Sequence, residues 1–380
     1  MKVGIDTFGC NHGQSGIGSY IDSISRNFKN SDSLKVEFFG AEIDRYTYAP
    51  DNNFAFTAVT LPETLSANRV WHIFRCNRFA AKQKYDVVIY PAVVNYLPYT
   101  FRVPGVIILN DIVSETLAKL KFFDRFRFRH ALKKADKIIV ASQFIKKELK
   151  KLGIKQDKIV IVHCGIDHSL FYPQNITDGE TVDIKPFSIQ KPYFVYASKM
   201  SSPQKKHCEL VRAFTEFKKR TGLPHRLVLA GSEGEYAAEV QKAVFDSPYA
   251  QDIFMTGYFP PESMPSLYSG SEGCVFPSVN EGCGMPILEA MATGVPVACS
   301  KSGSLSEMAG NNVIFFDSNN IEEIADAMEK MATNKTFVEK ISKDQIAWAK
   351  RFSWEKAAEE ILQVLTQVVE KRGKKRKSKT

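Results

Sequence analysis

The sequence predicts an α/β protein with two doubly wound domains, on three observations. The chain has 380 residues, enough for two cores of ordinary size, and 44% of them are hydrophobic. Short apolar runs rich in β-branched residues recur, and each is followed by a helical pattern. A polar stretch without clear periodicity, residues 174–191, separates these runs into two sets. Apolar strands that alternate with helices are typical of parallel sheets covered on both faces.

The predicted strands lie on both sides of the polar stretch. Before it, and after a short strand at the start of the chain, they are residues 87–90, 105–109, 137–140 and 158–162. After it they are residues 193–196, 227–230, 253–256, 273–276 and 295–298. We therefore expect one domain over residues 1–175, a linker over 176–191 and a second domain over 192–350. Because ligands bind at the carboxyl ends of parallel strands, we expect both domains to direct these ends into one cleft.

The end of the chain predicts a helix followed by a basic tail. Ser353 is a suitable N-cap, and apolar residues then recur at helical spacing. We predict a helix over residues 351–371 and a disordered tail over 372–380. The formal net charge is +9, and the last ten residues hold seven Lys or Arg and no acid, which leaves +2 for the rest. Such a block attracts anionic partners, including acidic lipid headgroups, whereas the nearly neutral body argues against specific nucleic-acid binding.

Targeting signals are not visible in the sequence. The chain begins with a short strand pattern instead of an apolar signal region. No uninterrupted apolar run approaches the roughly 18 residues that a membrane span needs. We expect a cytoplasmic protein that is at most peripheral on the cytoplasmic face of a membrane.

The segment FPSVNEGCGMPILE, residues 276–289, has the features of a diphosphate site. An apolar strand ends near Phe276, a loop with Gly282 and Gly284 follows, and Pro286 suits the first turn of a helix. Glycines allow backbone N–H groups to approach a ligand closely. The helix start presents unpaired donors and a partial positive charge, which favour a bound diphosphate.

Two carboxylates flank this predicted helix start. Glu281 precedes the helix and Glu289 lies about one turn into it. A diphosphate between them would place one carboxylate near a sugar and the other near ribose hydroxyls. Acids are also common at helix N-termini for structural reasons, and the spacing alone leaves that alternative open.

Residues 281–297, EGCGMPILEAMATGVPV, resemble the signature of the retaining GT-B glycosyltransferases of family 4, or glycosyl transferases group 1. That signature has two Glu separated by seven residues within E-G-x-G-x-P-x-x-E-A-M-A-x-G-x-P-V. Other segments resemble the same family in the same order, among them SGIGSYI from Ser15, PYFVYASKMSSPQKK from Pro192 and SKSGSLSEMAG from Ser300. The resemblance covers nearly the whole chain. It implies a hexosyltransferase of polysaccharide biosynthesis, with two Rossmann-like domains that face a cleft and a last helix that crosses back onto the N-terminal domain.

The resemblance also implies roles for individual residues. Glu281 would contact hydroxyls of the donor sugar, and Glu289 would bind the ribose of the nucleotide. The loop at Gly16 in the N-terminal domain would face the diphosphate. Sugar and phosphate oxygens would be held by backbone N–H groups of Gly282, Cys283, Gly284 and Met285. The nucleoside side would be lined by Gly231, Gly257 and Tyr258.

Cationic side chains are expected where other glycosyltransferases use a metal. A departing diphosphate must be stabilised as its charge grows, and the sequence holds no Asp-x-Asp pair. We expect no metal and no cofactor besides the nucleotide-sugar co-substrate. Lys199 and Lys205 are the candidates, and with Glu281 they form the predicted catalytic set. The family has Arg at the first of these positions, so Lys199 keeps the charge but loses the bidentate geometry. Lys206 is an adjacent competitor, and solvated surface lysines are the structural alternative.

The acceptor side is predicted in the N-terminal domain. The family carries His-Asp after the strand at 105–109, whereas this sequence has Asn110 and Asp111. Asn hydrogen-bonds a hydroxyl but does not shuttle a proton. Two stretches combine aromatic and basic residues: residues 119–134 mix four phenylalanines with Lys and Arg, and residues 69–78 mix Trp71 and Phe74 with Arg. They are interpreted either as contacts with an anionic membrane that carries lipid-linked acceptors, or as ordinary helices with an aromatic core side and a charged wet side.

The leading hypothesis is a metal-independent retaining glycosyltransferase that moves a hexose from a nucleotide-diphosphate sugar. The resemblance suggests mannose, with a guanosine- or uridine-linked donor. The acceptor would be a polysaccharide, a lipid-linked glycan or a protein glycan. Retention in this family is explained by front-face attack, in which the leaving phosphate takes the proton of the acceptor. The alternative is a non-catalytic relative that binds nucleotides or glycans, which nucleotide binding without turnover would identify.

Overall fold

The computed structural model describes residues 1–29, 31–50, 54–62, 64–174, 181–184 and 186–377, the side chains of 375–377 excepted. The chain forms two compact units. Unit 1 comprises Met1–Gly165 together with the C-terminal segment from Trp354, and unit 2 comprises Ile166–Ser353. Each unit is built on its own parallel sheet, which confirms the prediction of two doubly wound α/β domains.

Unit 1 contains a seven-stranded parallel sheet in the order β3-β2-β1-β4-β5-β6-β7. Its strands are β1 (Lys2–Asp6), β2 (Lys35–Gly40), β3 (Ala55–Ala58), β4 (Val87–Pro91), β5 (Gly105–Leu109), β6 (Lys137–Val140) and β7 (Ile159–Ile161). The helices that connect them are α1 (Gly16–Arg26), α2 (Arg45–Tyr48), α3 (Leu65–Phe74), α4 (Cys76–Lys82), α5 (Val113–Ala118), α6 (Phe122–Lys134) and α7 (Gln143–Lys151). The chain changes direction across the sheet between β1 and β4, where ligands bind in such sheets.

Unit 2 contains a six-stranded parallel sheet and a separate hairpin, β8-β9. The strands are β8 (Thr181–Ile184), β9 (Phe187–Gln190), β10 (Tyr193–Ala197), β11 (Arg226–Ala230), β12 (Ile253–Gly257), β13 (Gly273–Phe276), β14 (Val297–Ser300) and β15 (Ile314–Phe316). The helices are α8 (His207–Thr221), α9 (Ala237–Phe245), α10 (Met264–Ser269), α11 (Met285–Ala292), α12 (Leu305–Ala309), α13 (Ile321–Thr333) and α14 (Lys335–Ala349). The sheet order is β12-β11-β10-β13-β14-β15, so the change of direction lies between β10 and β13.

The boundary between the units differs from the predicted one. Unit 2 begins at Ile166, not after residue 175, because this segment packs there. Ile166 forms a β-bridge with Ser353, and the ring of buried Phe171 lies 6.4 Å from that of Tyr268. The stretch that we predict as a linker, 176–191, contains the β8-β9 hairpin, while residues 175–180 and 185 lie outside the described residues.

The hairpin is stabilised by alternating buried side chains that the polar composition concealed. Val182, Ile184 and Ile189 are each buried, and the exposed residues between them are mostly polar. This alternation has the period of two that a half-buried strand requires. Strands β2, β3 and β15 are also absent from the predicted strands, and β2 shows why. It contains the buried carboxylate of Glu37, which pairs with Lys2 at 2.7 Å and accepts hydrogen bonds from Thr57 and Tyr85.

The last helix, α15 (Trp354–Lys377), belongs to unit 1, as predicted for a helix that crosses back onto the N-terminal domain. Its first residue packs edge-on against Tyr20 of α1, with ring centroids 5.3 Å apart. The helix continues beyond residue 371 into the segment predicted to be a disordered tail. Arg372 explains this extension, because its guanidinium donates to the carbonyl oxygens of Phe101 and Arg102 and pairs with Asp136 at 3.3 Å. Residues 378–380 lie outside the described residues.

Among the described residues, none of the helices combines the length and the apolar character that crossing a bilayer requires.

Candidate active site

The site predicted from the sequence lies at the carboxyl edge of the sheet in unit 2. The two central strands, β10 and β13, lead into the loops 198–206 and 277–284. The loops are joined where the backbone N–H of Val279 donates to the carbonyl oxygen of Gln204 at 2.9 Å. The first loop is also fixed to β10, because the buried Tyr196 hydroxyl donates to the carbonyl oxygen of Lys205 at 2.9 Å. The topology therefore brings together two segments that are far apart in the sequence.

Lys205 and Glu281 form an ion pair at the junction of these loops. The Nζ atom of Lys205 donates to Oε1 of Glu281 at 2.5 Å. Their side chains are 21% and 24% exposed, so both are partly desolvated but remain accessible to a ligand. A cation and a carboxylate thus lie side by side at the point where the β10 and β13 loops meet.

The adjacent lysine is directed elsewhere. Lys206 adopts a left-handed backbone conformation, with φ of 60°, immediately before α8. Its Nζ atom donates to Glu209 at 2.8 Å and to Asn319 at 2.9 Å. Lys199 lies after the end of β10, and its side chain is exposed. Of the three lysines that the sequence leaves in competition, Lys205 is the one that pairs with Glu281.

The backbone of Glu281 is supported by a segment that the sequence analysis did not assign to the site. The carbonyl oxygen of Glu281 accepts two hydrogen bonds from Ser304, from its N–H at 3.1 Å and from its hydroxyl at 2.7 Å. Gly303 has φ of +63°, and a Cβ there would lie 3.0 Å from the backbone nitrogen of Glu281. Both residues belong to the motif SKSGSLSEMAG, so a signal was present in the sequence. The motif indicated a resemblance to the family, but it did not show that this segment hydrogen-bonds to the backbone of Glu281.

The start of α11 has the form predicted for a diphosphate site. Gly284 occupies the N-cap position with φ of +70°, and Pro286 lies in the first turn. Because the cap is a glycine, it has no side chain to occupy the first N–H groups of the helix. Gly282 is buried, whereas Cys283 and Met285 are half-buried. The helix start therefore carries no side-chain cap at the point where the partial positive charge of the helix is greatest.

Glu289 lies one turn into α11 with a half-buried side chain. Burial raises the pKa of its carboxyl to about 7. Burial, and secondarily the charge of Glu289, raises the pKa of the nearby Tyr268 hydroxyl well above its usual value. A carboxyl with a pKa near neutrality responds to any group that donates hydrogen bonds to it, since such donors favour the ionised form.

The predicted nucleoside-side residues follow the neighbouring strands. Gly231 comes after β11 and Gly257 ends β12, and the N–H of Gly231 donates to the carbonyl oxygen of Gly257 at 2.8 Å. Gly231 has φ of +154°, and a Cβ there would lie 2.2 Å from the carbonyl oxygen of Ser198. Tyr258 is 68% exposed beside them. The structure thus places these residues at the same edge of the sheet as Lys205.

A buried histidine, which the sequence analysis left without a role, also holds the lysine loop. His207 is the first residue of α8, and its Nε2–H donates to the carbonyl oxygen of Ser198 at 3.3 Å. Its ring packs on Tyr196 with centroids 4.7 Å apart. Burial lowers its pKa to about 4, so His207 is neutral at pH 7 and adds no charge beside Lys205.

The predicted site residues of unit 1 occupy the carboxyl edge of its own sheet. Gly16 is exposed at the start of α1, where the Ser15 hydroxyl accepts a hydrogen bond from Gly18 N–H at 3.1 Å. Asn110 directly follows β5, and its buried Oδ1 atom finds no hydrogen-bond partner within the described ranges. Asp111 is exposed. Three His, Cys, Asp or Glu residues that could together hold a metal ion are not found anywhere in the described part of either unit.

Two family models match the chain. Residues 15–170 match the model described as Glycosyltransferase Family 4, and residues 180–348 match the model described as Glycosyl transferases group 1. The O-antigen chain mannosyltransferase B of Escherichia coli is 29% identical over 302 residues, which are 77% of each chain. The O-antigen chain mannosyltransferase RfbU of Salmonella typhimurium is 22% identical over 55% of this chain and 58% of its own.

Solved structures agree in fold. Sucrose-phosphate synthase from Thermosynechococcus elongatus has a TM-score of 0.77 at 16% identity, over 97% of this chain and 99% of its own. Anabaena HepE, solved in complex with UDP-glucose, has a TM-score of 0.73 at 18% identity, over 97% of this chain and 100% of its own. With two doubly wound units, a helix that returns to the first of them, and matches to both models, the chain is a glycosyltransferase of GT-B fold and belongs to family 4, the glycosyl transferases group 1.

Proposed function

We propose that this enzyme transfers a mannosyl residue from a nucleotide-diphosphate donor to a glycan or lipid-linked acceptor, with retention of configuration and without a metal ion. The observation that carries this proposal is the ion pair between Lys205 and Glu281 beside the start of α11. It combines a cation, a helix start and a carboxylate at the position where a doubly wound sheet binds its ligand.

Lys205 and α11 would stabilise the leaving group. Cleavage of the sugar–phosphate bond leaves additional negative charge on the diphosphate, so groups already in position lower the barrier. The Lys205 ammonium is paired with Glu281, and the backbone of Lys205 is held by the Tyr196 hydroxyl, which donates to its carbonyl oxygen. The ammonium therefore needs little rearrangement to reach a phosphate oxygen. The N–H groups at Gly284 and Met285 would contribute further donors. Lys199, exposed at the end of β10, would add charge at the rim.

Glu281 and Glu289 would bind different parts of the donor, the sugar and the ribose. When a diphosphate draws the Lys205 ammonium toward it, the Glu281 carboxylate becomes available to accept hydrogen bonds from sugar hydroxyls. Glu289 would accept hydrogen bonds from the ribose, with the nucleoside beside Gly231, Gly257 and Tyr258. Because these hydrogen bonds favour the ionised carboxyl, nucleotide binding would lower the pKa of Glu289.

The proposed chemistry needs no protein base. The bond between the anomeric carbon and the phosphate oxygen breaks, and the bond between that carbon and the acceptor oxygen forms on the same face. The proton of the acceptor hydroxyl passes to the departing phosphate. Asn110, whose Oδ1 atom is buried beside the carboxyl edge of unit 1, would orient a sugar hydroxyl there instead of carrying a proton.

The choice of mannose is supported by the relatives. The two O-antigen enzymes compared above are both named as mannosyltransferases, and one of them matches over 77% of each chain. An O-antigen type of acceptor, which is a growing glycan, also accords with these names. A guanosine-linked donor is therefore the first candidate and a uridine-linked donor the second.

The test is a panel of nucleotide sugars scored by thermal shift and by donor hydrolysis, with GDP-mannose and UDP-glucose as the leading pair. Turnover should require a glycan acceptor, and the anomeric configuration of the product, read by NMR, should equal that of the donor. Binding of a nucleotide sugar without turnover on any mannan or lipid-linked glycan would favour the non-catalytic alternative. An inverted product would contradict front-face transfer.

A further inference from the structure

Helix α6 exposes apolar side chains that the core of unit 1 does not use. Phe122, Phe123 and Phe126 are 88%, 69% and 55% exposed. The side of the helix that faces the core is already filled, with Arg127, Phe128, Ala131 and Leu132 all buried. Three large phenylalanines at one end of a helix form an exposed apolar patch, and such patches mark interaction surfaces.

The exposed side of α6 changes from apolar to basic along its length. Phe122, Phe126, Arg129 and Lys133 follow one another at helical spacing and are all exposed. These four residues and Phe123 form the aromatic-basic face of α6. The single acid of this helix, Asp124, is half-buried and lies 3.5 Å from Arg69 of α3. The exposed charges on this face are therefore positive.

Helix α3, which lies beside α6, also exposes apolar and basic side chains. The ion pair of Arg69 with Asp124 holds α3 beside α6, and both Arg69 and Arg127 reach the Oδ1 atom of Asn95. On α3, Val70 and Phe74 are 52% and 67% exposed. Residues 65–84 contain no Asp or Glu but several Arg and Lys. The two basic-aromatic stretches of the sequence are thus adjacent helices.

Positive charge continues beyond the basic end of α6. Lys134, the last residue of the helix, lines a cavity of about 360 Å³ together with Lys137 and Lys158 and with Lys371 and Arg372 of α15. Asp136 and Asp157 also line it, but the basic residues are in excess. The field along the aromatic-basic face is therefore reinforced at its basic end.

We infer that the aromatic-basic face of α6, flanked by α3, docks on an anionic phospholipid bilayer. The phenylalanines enter the interfacial region, and Arg129 and Lys133 pair with the acidic headgroups. Exposed phenylalanines beside basic side chains match a bilayer surface, because the acyl chains and the negatively charged headgroups lie only a few ångströms apart there. The inference deepens the proposed function, on which its purpose rests, since a lipid-linked acceptor is presented at such a surface.

The sequence left membrane contact and ordinary packing as alternatives, and the structure separates the residues that belong to each. Trp71 and Phe128 are buried and serve the core, whereas Phe74, Phe122 and Phe126 point outward. Neither interpretation therefore applies to a whole stretch.

The test is sedimentation of the full chain with vesicles, without donor or acceptor. Vesicles of phosphatidylglycerol and phosphatidylethanolamine should bind the chain, and neutral phosphatidylcholine vesicles should bind it much less. The pair Phe122→Ser and Phe126→Ser should lower the partition coefficient about tenfold or more. The pair Arg129→Gln and Lys133→Gln should weaken binding to anionic vesicles and reduce its dependence on salt. Phe245→Ser, which changes an 82% exposed phenylalanine of unit 2, is the matched control and should bind like the parent.

The inference is overturned if the phenylalanine pair binds vesicles as the parent does. It is also overturned if that pair changes the self-association of the lipid-free chain in analytical ultracentrifugation, because a second copy would then cover this face. Thermal unfolding shows whether each variant is folded. If the phenylalanine variant does not fold, the variant with Arg129→Gln and Lys133→Gln tests the inference on its own. Transfer to a water-soluble glycan acceptor, measured separately, should be unaffected, so failure here is distinguishable from failure of the proposed function.

Discussion

The Nζ atom of Lys205 lies 2.5 Å from Oε1 of Glu281, although the two residues are 76 positions apart in the chain. The contact exists because β10 and β13 are neighbours in the sheet and their loops leave from the same edge. In the proposed function, a phosphate replaces Glu281 as the partner of Lys205, and the released Glu281 carboxylate accepts hydrogen bonds from sugar hydroxyls.

Replacement of Glu281 by Gln should reduce transfer about a hundredfold or more, because the carboxylate is proposed to contact the sugar in the transition state. Nucleoside-diphosphate affinity should change little, and stability by about 1 kcal/mol or less, since the ion pair is partly exposed. Steady-state kinetics and isothermal titration calorimetry measure these effects. Glu262→Gln, at an exposed position of unit 2, is the matched control. Near-parental turnover by Glu281→Gln would remove this residue from the catalytic set.

Replacement of Lys205 by Ala should weaken nucleoside-diphosphate binding about tenfold to a hundredfold, as expected for the loss of a charge-assisted hydrogen bond. Lys206→Ala is the neighbouring control, and it should stay within about twofold of the parent because its ammonium is engaged by Glu209 and Asn319. Binding constants for both variants are measured by calorimetry. If Lys206→Ala were the more damaging change, the assignment of the phosphate contact to Lys205 would be wrong.

Nucleotide binding near neutral pH should release protons from Glu289. Burial raises its pKa to about 7, so about half of the free enzyme carries this proton at pH 7, and ribose hydroxyls favour the ionised form. Calorimetry in buffers of different ionisation enthalpy should detect the release of about 0.5 proton per nucleotide. Glu289→Gln should abolish the release and weaken nucleotide binding. A nucleotide that binds the parent without proton release would contradict the ribose contact.

The same carboxyl should shape the stability of the free enzyme. Its folded-state pKa is raised from 4.5 to about 7, so the folded state binds the proton more tightly than the unfolded state does. The contribution to stability is complete below about pH 4.5 and declines as the pH rises toward 7. Glu289→Gln should remove this part of the decline in chemical-denaturation curves measured between pH 5 and 8. A variant that loses stability with pH as steeply as the parent would assign the effect to another group.

Gly231 and Gly257 should differ in their tolerance of alanine. A Cβ at Gly231 would lie 2.2 Å from the carbonyl oxygen of Ser198, whereas Gly257, with φ of +74°, has open space around it. Gly257→Ala should therefore cost about 1 kcal/mol of backbone strain, and Gly231→Ala about 2 kcal/mol or more. Gly231→Ala should also reduce nucleotide affinity, because Ser198 leads into the loop of Lys205. Equal melting temperatures for the two variants would show that the loop adjusts freely.

Transfer should persist in the presence of a chelator. If Lys205 and the start of α11 stabilise the departing diphosphate, the rate with EDTA should equal the rate with added Mg²⁺ or Mn²⁺ within about twofold. The comparison is made on enzyme purified in EDTA, with a metal-dependent glycosyltransferase assayed in parallel as control. Loss of activity in EDTA that either cation restores would overturn the metal-independent mechanism.

The sequence by itself determined the two parallel sheets, since continuous apolar strands alternating with helices have few other solutions. It also determined the form of the α11 start, because Gly284, Pro286 and the spacing from Glu281 to Glu289 are local features. It missed the β8-β9 hairpin, whose few buried side chains are diluted by polar neighbours. It also ended α15 too early, because the contacts that hold Arg372 come from distant segments.

Only the tertiary structure decided between adjacent or similar residues. Lys205 and Lys206 are adjacent and have the same side chain, yet their ammonium groups have different partners. The left-handed backbone at Lys206 and the hydrogen bond from the Tyr196 hydroxyl to the carbonyl oxygen of Lys205 direct the two side chains differently. Phe122 and Phe128 share one helix, yet one is exposed and the other buried. The physical reason is the same in both cases. Side-chain direction depends on backbone dihedral angles and on contacts made by elements far away in the chain, neither of which a local pattern contains.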